Sequence, residues 1–88
     1  MANVIAVHSV GEMDTWLAAD NRAPIFERLC DRYRLFRMPD QSKVAIIWEN
    51  VDLEKLEAAL ASPEVASAKA KDTVIDPVEI FVEVEGAR

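Results

Sequence analysis

One histidine stands in this chain of 88 residues, inside the run VIAVHSV at positions 4–10. An imidazole is the side chain best placed to take and return a proton near neutral pH. His8 is therefore the first candidate for a general base or an orienting hydrogen-bond donor. The flanking Val7 and Val10 put it in a buried strand, where an unpaired polar ring costs about 1–3 kcal/mol. Two readings follow: a working group on a cavity wall, or a core histidine bonded to a nearby carboxylate or backbone carbonyl. A cavity of roughly 300 Å³ or more touching the ring favours the first.

Few other residues carry chemistry. Trp16 and Trp48 are either stacking surfaces or core, and Tyr33 offers a hydroxyl at a cavity rim or simply packs. Arg37, with Arg32 and Arg34 on a shared face of the same strand, suits a carboxylate, although arginines on an edge strand also serve solubility. Glu49 can pair with an arginine or with His8. Asp52, Glu54 and Glu57 read as a solvated helix start. The ligand-binding candidates are thus Trp16, Tyr33, Arg37, Trp48 and Glu49 around a catalytic His8.

No metal or cofactor is expected. With a single His and a single Cys, metal-ligand spacing is absent. Two glycines cannot build a phosphate-cradling loop, and there is no Cys-x-x-Cys pair or Ser-His-Asp set. Cys30 has no disulfide partner in the chain and lies near Phe26 and Leu29, which reads as an inert buried thiol and a cytoplasmic location.

Period and punctuation give the elements that must position these groups. Residues 3–10 read as a strand covered on both faces. Met13, Trp16 and Leu17 fall on one helical stripe, with Glu12 and Asp14 in the first turn. Pro24 interrupts that helix, and Ile25, Phe26 and Leu29 continue the stripe on a second piece. Arg32 to Met38 alternates as a strand, Pro39 and Asp40 turn the chain, and VAIIW (44–48) is the best central strand. Asp52 caps a helix, with Val51 and Leu56 as a hydrophobic staple and Leu53, Leu56 and Leu60 as its apolar stripe. Ser62 and Pro63 restart the helix. Val78 to Val84 alternates strictly as the last strand, with Val78, Ile80, Val82 and Val84 on one face.

The order β-α-β-β-α-β predicts one ferredoxin-like α+β domain over 1–88: a four-stranded antiparallel sheet with two helices on one face. Its other face is bare, yet VAIIW is apolar on both sides. With 51% hydrophobic residues in so short a chain, a second copy covering that face is expected, giving a homodimer. The net charge of −6 disfavours nucleic acid and anionic membrane surfaces as partners. No window is long and apolar enough for a membrane span, and the N-terminus has no basic region of the kind that leads a signal peptide.

An ordered set of short signatures covers nearly the whole chain: His8 in VHSV, an acidic turn and Trp16, LFR at the end of the second strand, VAIIWENVDLEKLEAAL, ASPE, and DPVEIFVEVE. In these the chain resembles the dimeric α/β-barrel superfamily that contains the antibiotic-biosynthesis monooxygenases. Its nearest likeness is to small bacterial proteins that carry only a provisional cyclase label. The resemblance implies a homodimer, an apolar cavity, and a cofactor-independent oxygenase or cyclase/isomerase acting on a small apolar or aromatic compound. The alternative is a non-catalytic ligand-binding or accessory homodimer. Two stretches depart from the family's pattern, LCDRYR before the second strand and KDTVID before the last. Both fall where a cavity mouth would be, so ligand identity does not carry over.

Overall fold

The two most apolar runs become the two central strands, where both edges of a strand are paired. The computed structural model describes residues 1–88 and places β1 (Ala2–Val10) and β3 (Lys43–Val51) side by side. β2 (Arg32–Arg37) and β4 (Val74–Val82) flank them, giving the antiparallel order β2-β3-β1-β4. Each crossover is a broken helix: α1 (Met13–Ala18) and α2 (Ala23–Leu29), then α3 (Leu53–Leu60) and α4 (Pro63–Lys71). This is the expected ferredoxin-like α+β arrangement. No helix is long and apolar enough to cross a membrane.

Local chemistry sets the helix starts. Pro24 sits in the first turn of α2, where its missing N–H leaves nothing unpaired. The Asp52 carboxylate accepts from the backbone N–H of Glu54 at 3.0 Å and of Lys55 at 3.4 Å, and Ser62 Oγ accepts from Val65 N–H at 3.2 Å. The staple residues Val51 and Leu56 are both in the core.

Period-two alternation then sorts the sheet. Val4, Ala6, His8 and Val10 of β1 point at the helices and are buried, as are Val44, Ile46 and Trp48 of β3. A one-residue irregularity in the β1–β3 register at Ala2/Val4 falls beside Asn50, which takes a left-handed φ of 61°. Asn50 is held there by Asn3 Oδ1, which accepts its N–H at 3.0 Å, and by its own amide, which donates to Asp31 at 2.6 Å.

The opposite sheet face has no helix on it. Register puts Ile5 beside Ile47 and Phe81, and Ala45 beside Val7 and Phe36. Ile5, Phe36, Ile75 and Phe81 are 40–54% exposed, an apolar strip running across all four strands. Glu49 closes one end of it, with Arg32 Nε at 3.5 Å and Arg34 Nε at 3.8 Å.

Three expectations are corrected. Leu17 is exposed, because α1 is only six residues long and Trp16 fills its contact with the sheet. Leu53 and Leu60 are 43% and 39% exposed, so Leu56 is the one buried residue of α3, while Leu60 borders the space between helices and sheet. The last strand begins at Val74, four residues before the strictly alternating run, and ends at Val82, leaving Val84 exposed. The Asp76-Pro77 step shifts the β1–β4 register between Val7 and Ser9, which masks the strand's first half in the sequence pattern.

Leu56 and Leu53 therefore separate by burial on one helix. Leu56→Ala is expected to destabilise by about 2–5 kcal/mol, and Leu53→Ala by less than about 1 kcal/mol. Urea denaturation of the two variants beside the parent chain checks this; similar midpoints would place α3 on the wrong face.

Candidate functional site

A cavity of about 70 Å³ lies between the inner sheet face and the helices. Its walls are mostly aliphatic and aromatic, and just four lining residues are polar or charged: His8, Arg22, Lys69 and Asp72. β1 contributes His8 and β3 contributes Trp48 at the other end. His8 lies opposite Val44 and Trp48 opposite Val4, so four strand positions, about 13 Å, separate them along the sheet.

His8 is 4% exposed. Its Nδ1 is 2.9 Å from the Ser9 carbonyl oxygen, which can only accept, so Nδ1 carries the proton. Nε2 then holds the lone pair, and no protein group bonds it. Burial pushes the pKa down, helped by the charges of Lys69 and Arg22 and opposed by the Ser9 hydrogen bond and Asp76. The ring is thus a neutral imidazole at pH 7 with a fixed tautomer, which is the form a general base needs.

Trp16 fixes its orientation. The indole meets the imidazole edge-on, with centroids 6.2 Å apart and planes at 72°. Arg22 covers the indole, its guanidinium carbon 4.1 Å from the ring centre. One Arg22 terminal nitrogen donates to the Trp16 carbonyl at 2.7 Å and the other to Asp72 Oδ2 at 2.9 Å. Asn21 Nδ2 donates to Asp72 Oδ1 at 2.7 Å. Both members of the ion pair are buried, so their charges are neutralised inside the fold.

Two further polar groups are less well provided for. Trp48 Nε1 is buried with no acceptor, although the ring itself packs edge-on against Phe26 at 5.2 Å. Lys69 Nζ donates to Asp76 at 2.6 Å, and Asp76 lies outside the cavity wall.

Of the residues singled out in the sequence, His8, Trp16 and Trp48 come together around the cavity. Tyr33 packs behind it, edge-on to Phe26 at 5.1 Å. Arg37 is exposed near the end of β2, opposite Val44. Glu49 is on the other sheet face and pairs with Arg32 and Arg34, not with His8. The Cys30 thiol donates to the Phe26 carbonyl at 3.3 Å and burial raises its pKa, which makes it a poor nucleophile. Arg22, Lys69 and Asp72 were not singled out. Arg22 and Asp72 are fifty positions apart, and nothing local distinguishes them from surface charges. Lys69 lies on α4 with only small and charged neighbours in VASAKAKD, and nothing there marks it either.

No protein-family model and no curated protein matches the chain. Solved structures do. One is an antibiotic biosynthesis monooxygenase, 18% identical, with a TM-score of 0.65, 99% of this chain and 100% of the other being covered. A second is a protein of Deinococcus radiodurans described provisionally as an antibiotic biosynthesis monooxygenase (16% identity, TM-score 0.61, 100% and 95% covered). A third is a protein of Shewanella oneidensis (20% identity, TM-score 0.60, 93% and 91% covered). The fold is that of the antibiotic biosynthesis monooxygenases. In this chain the space between sheet and helices is about 70 Å³, well under the roughly 300 Å³ of a preformed drug-sized site and near the share of two or three waters.

The depressed His8 pKa has a consequence for stability. Below the ordinary value of about 6.5, the unfolded chain takes a proton that the folded chain refuses. The stabilisation is therefore complete above that value and is lost as pH falls through it towards the lowered folded value. His8→Gln removes this contribution. Urea midpoints from pH 8 to pH 5 should fall more steeply for the parent chain than for His8→Gln, and parallel curves would show that His8 is not desolvated.

Proposed function

We propose that this chain is a homodimeric small-molecule enzyme, a cofactor-independent oxygenase or cyclase/isomerase, with His8 as its general base. The observation that carries this reading is the His8 ring: neutral, fixed in one tautomer by Ser9, with an unbonded Nε2 lone pair in an apolar cavity. Such a base removes a proton from an acidic C–H or O–H of an apolar or aromatic compound. The resulting anion can attack an electrophilic carbon of its own molecule and close a ring or shift a bond. It can instead pass an electron to dioxygen and combine with it as a peroxide, R–H and O₂ giving R–OOH once the imidazolium returns its proton. Neither route draws on an electron donor other than the substrate.

The apolar strip on the outer sheet face supports the dimer. Isolated apolar residues on a surface are ordinary, but a strip spanning four strands is the kind of patch that another protein surface covers. A second copy packed sheet to sheet would bury it.

The size of the cavity favours a second reading, a non-catalytic homodimer that binds a very small ligand. His8 separates the two readings. On the enzyme reading, His8→Asn and His8→Ala keep the fold and lose turnover by about 100-fold or more. Oxygen uptake and product formation with a panel of phenols and 1,3-dicarbonyl compounds measure this, beside thermal melting. A melting loss of the size expected for a stripped core partner, with no turnover by the parent chain on any of the panel, would leave the binding reading. Independently, sedimentation at micromolar concentration should give twice the chain mass, with more than about 1,000 Å² buried in total; a monomer mass would defeat the sheet-to-sheet dimer.

A further inference from the structure

We propose that Lys69 is the specificity-determining residue of the His8 cavity, and that the cavity takes a very small aliphatic carboxylate whose anionic group replaces Asp76 on Lys69 Nζ. This deepens the reading of a small-molecule site at His8 and rests on it.

The charge balance of the wall leads to the proposal. Among the lining groups Arg22 and Asp72 neutralise one another at 2.9 Å, both buried. That leaves the Lys69 ammonium as the one charge in the wall with no partner in the wall. Its partner Asp76 lies outside, with a side chain 71% exposed, whereas that of Lys69 is 31% exposed. An ion pair so open to water adds little stability and is readily exchanged. A carboxylate arriving from the cavity side would meet the same ammonium in a drier, apolar setting, where the attraction is stronger.

A second observation supports a polar occupant. Trp48 Nε1–H is buried in the wall with no acceptor, and a donor left so is costly unless something accepts from it. The position of Lys69 also fits a base at His8. Lys69 and His8 line the same small space, so a carboxylate held on Lys69 from the cavity side shares that space with the His8 ring.

The test is a titration of the full chain, isotopically labelled at histidine, with formate, acetate and propionate. Formamide, acetamide and propionamide serve as neutral controls, and the His8 ring signals are read by NMR. Carboxylates are expected to shift these signals and to bind at least about tenfold more tightly than the matching amides, as one charge-assisted contact allows. Lys69→Met should abolish that preference while leaving amide binding within about twofold, and Lys69→Arg should keep it. Asp76→Asn, which removes the competing anion, should tighten carboxylate binding by a few fold. Melting curves for the variants establish that each is folded. Equal binding of carboxylates and amides by the parent chain, or a preference that survives in Lys69→Met, would overturn the role of Lys69 while leaving a ligand site at His8. No response of the ring to any probe would overturn both.

Discussion

A buried ion pair, Arg22 to Asp72, governs the geometry of the cavity. Two charges this deep are costly to desolvate, and they persist because every strong contact is met: the carboxylate takes Arg22 and Asn21, and the guanidinium also takes the Trp16 carbonyl. Removing one partner of such a pair leaves an uncompensated charge, a loss of about 3–5 kcal/mol. The planar fork of arginine is what the site requires, since it donates in two directions and lies flat on an indole at once. Through it the junction of α1 and α2 is tied to the end of α4, and Trp16 is pressed edge-on to His8.

The clamp continues along the backbone. Asp72 caps α4, and Thr73 follows with a φ of 60°, a left-handed conformation that a β-branched residue adopts only under constraint. Here the constraint is visible. The Thr73 carbonyl accepts from Gly11 N–H at 2.8 Å and its hydroxyl accepts from Glu12 N–H at 2.9 Å. The start of α1 and the start of β4 are thereby joined on the far side of Asp72 from Arg22. His8, Trp16, Arg22 and Asp72 thus form a chain of contacts along one end of the cavity, with Thr73 next to it along the backbone.

The fold was legible in the sequence because its signals are local. VAIIW and VIAVHSV are too apolar for edge positions, Pro24 and Pro63 mark breaks in the crossovers, and Asp52 and Ser62 announce helix starts through the hydrogen bonds they make. Errors arose where the deciding contact is distant. Leu17, Leu53 and Leu60 obey helical periodicity, but short helices have narrow contact with the sheet, and it buries only Trp16 of α1 and Leu56 of α3. The first half of β4 was hidden by Asp76-Pro77, which breaks alternation without ending the strand. For the site, period put Trp16 on a buried helical stripe, and composition put His8 and Trp48 in buried strands. Arg22, Lys69 and Asp72 could not be found in that way, because a charge shows itself as buried only when its partner, up to fifty residues off, is known to lie beside it.

Costs are concentrated between the sheet and the helices. A domain of 88 residues buries only about 60–65% of its unfolded surface and has little stability to spare. Yet its core keeps an unfilled space, an imidazole lone pair without a partner and an indole N–H without an acceptor, all bordering the same walls. Packing alone gives no reason for any of them, since a phenylalanine at position 48 and an aliphatic residue at position 8 would carry no such penalty. The outer sheet face has its own cost in the apolar strip left open to water. Both have the same physical form, surface that is incomplete in the isolated chain, and the cover that would relieve each differs: a large flat apolar surface for the outer strip, a small molecule with at least one polar atom for the inner space.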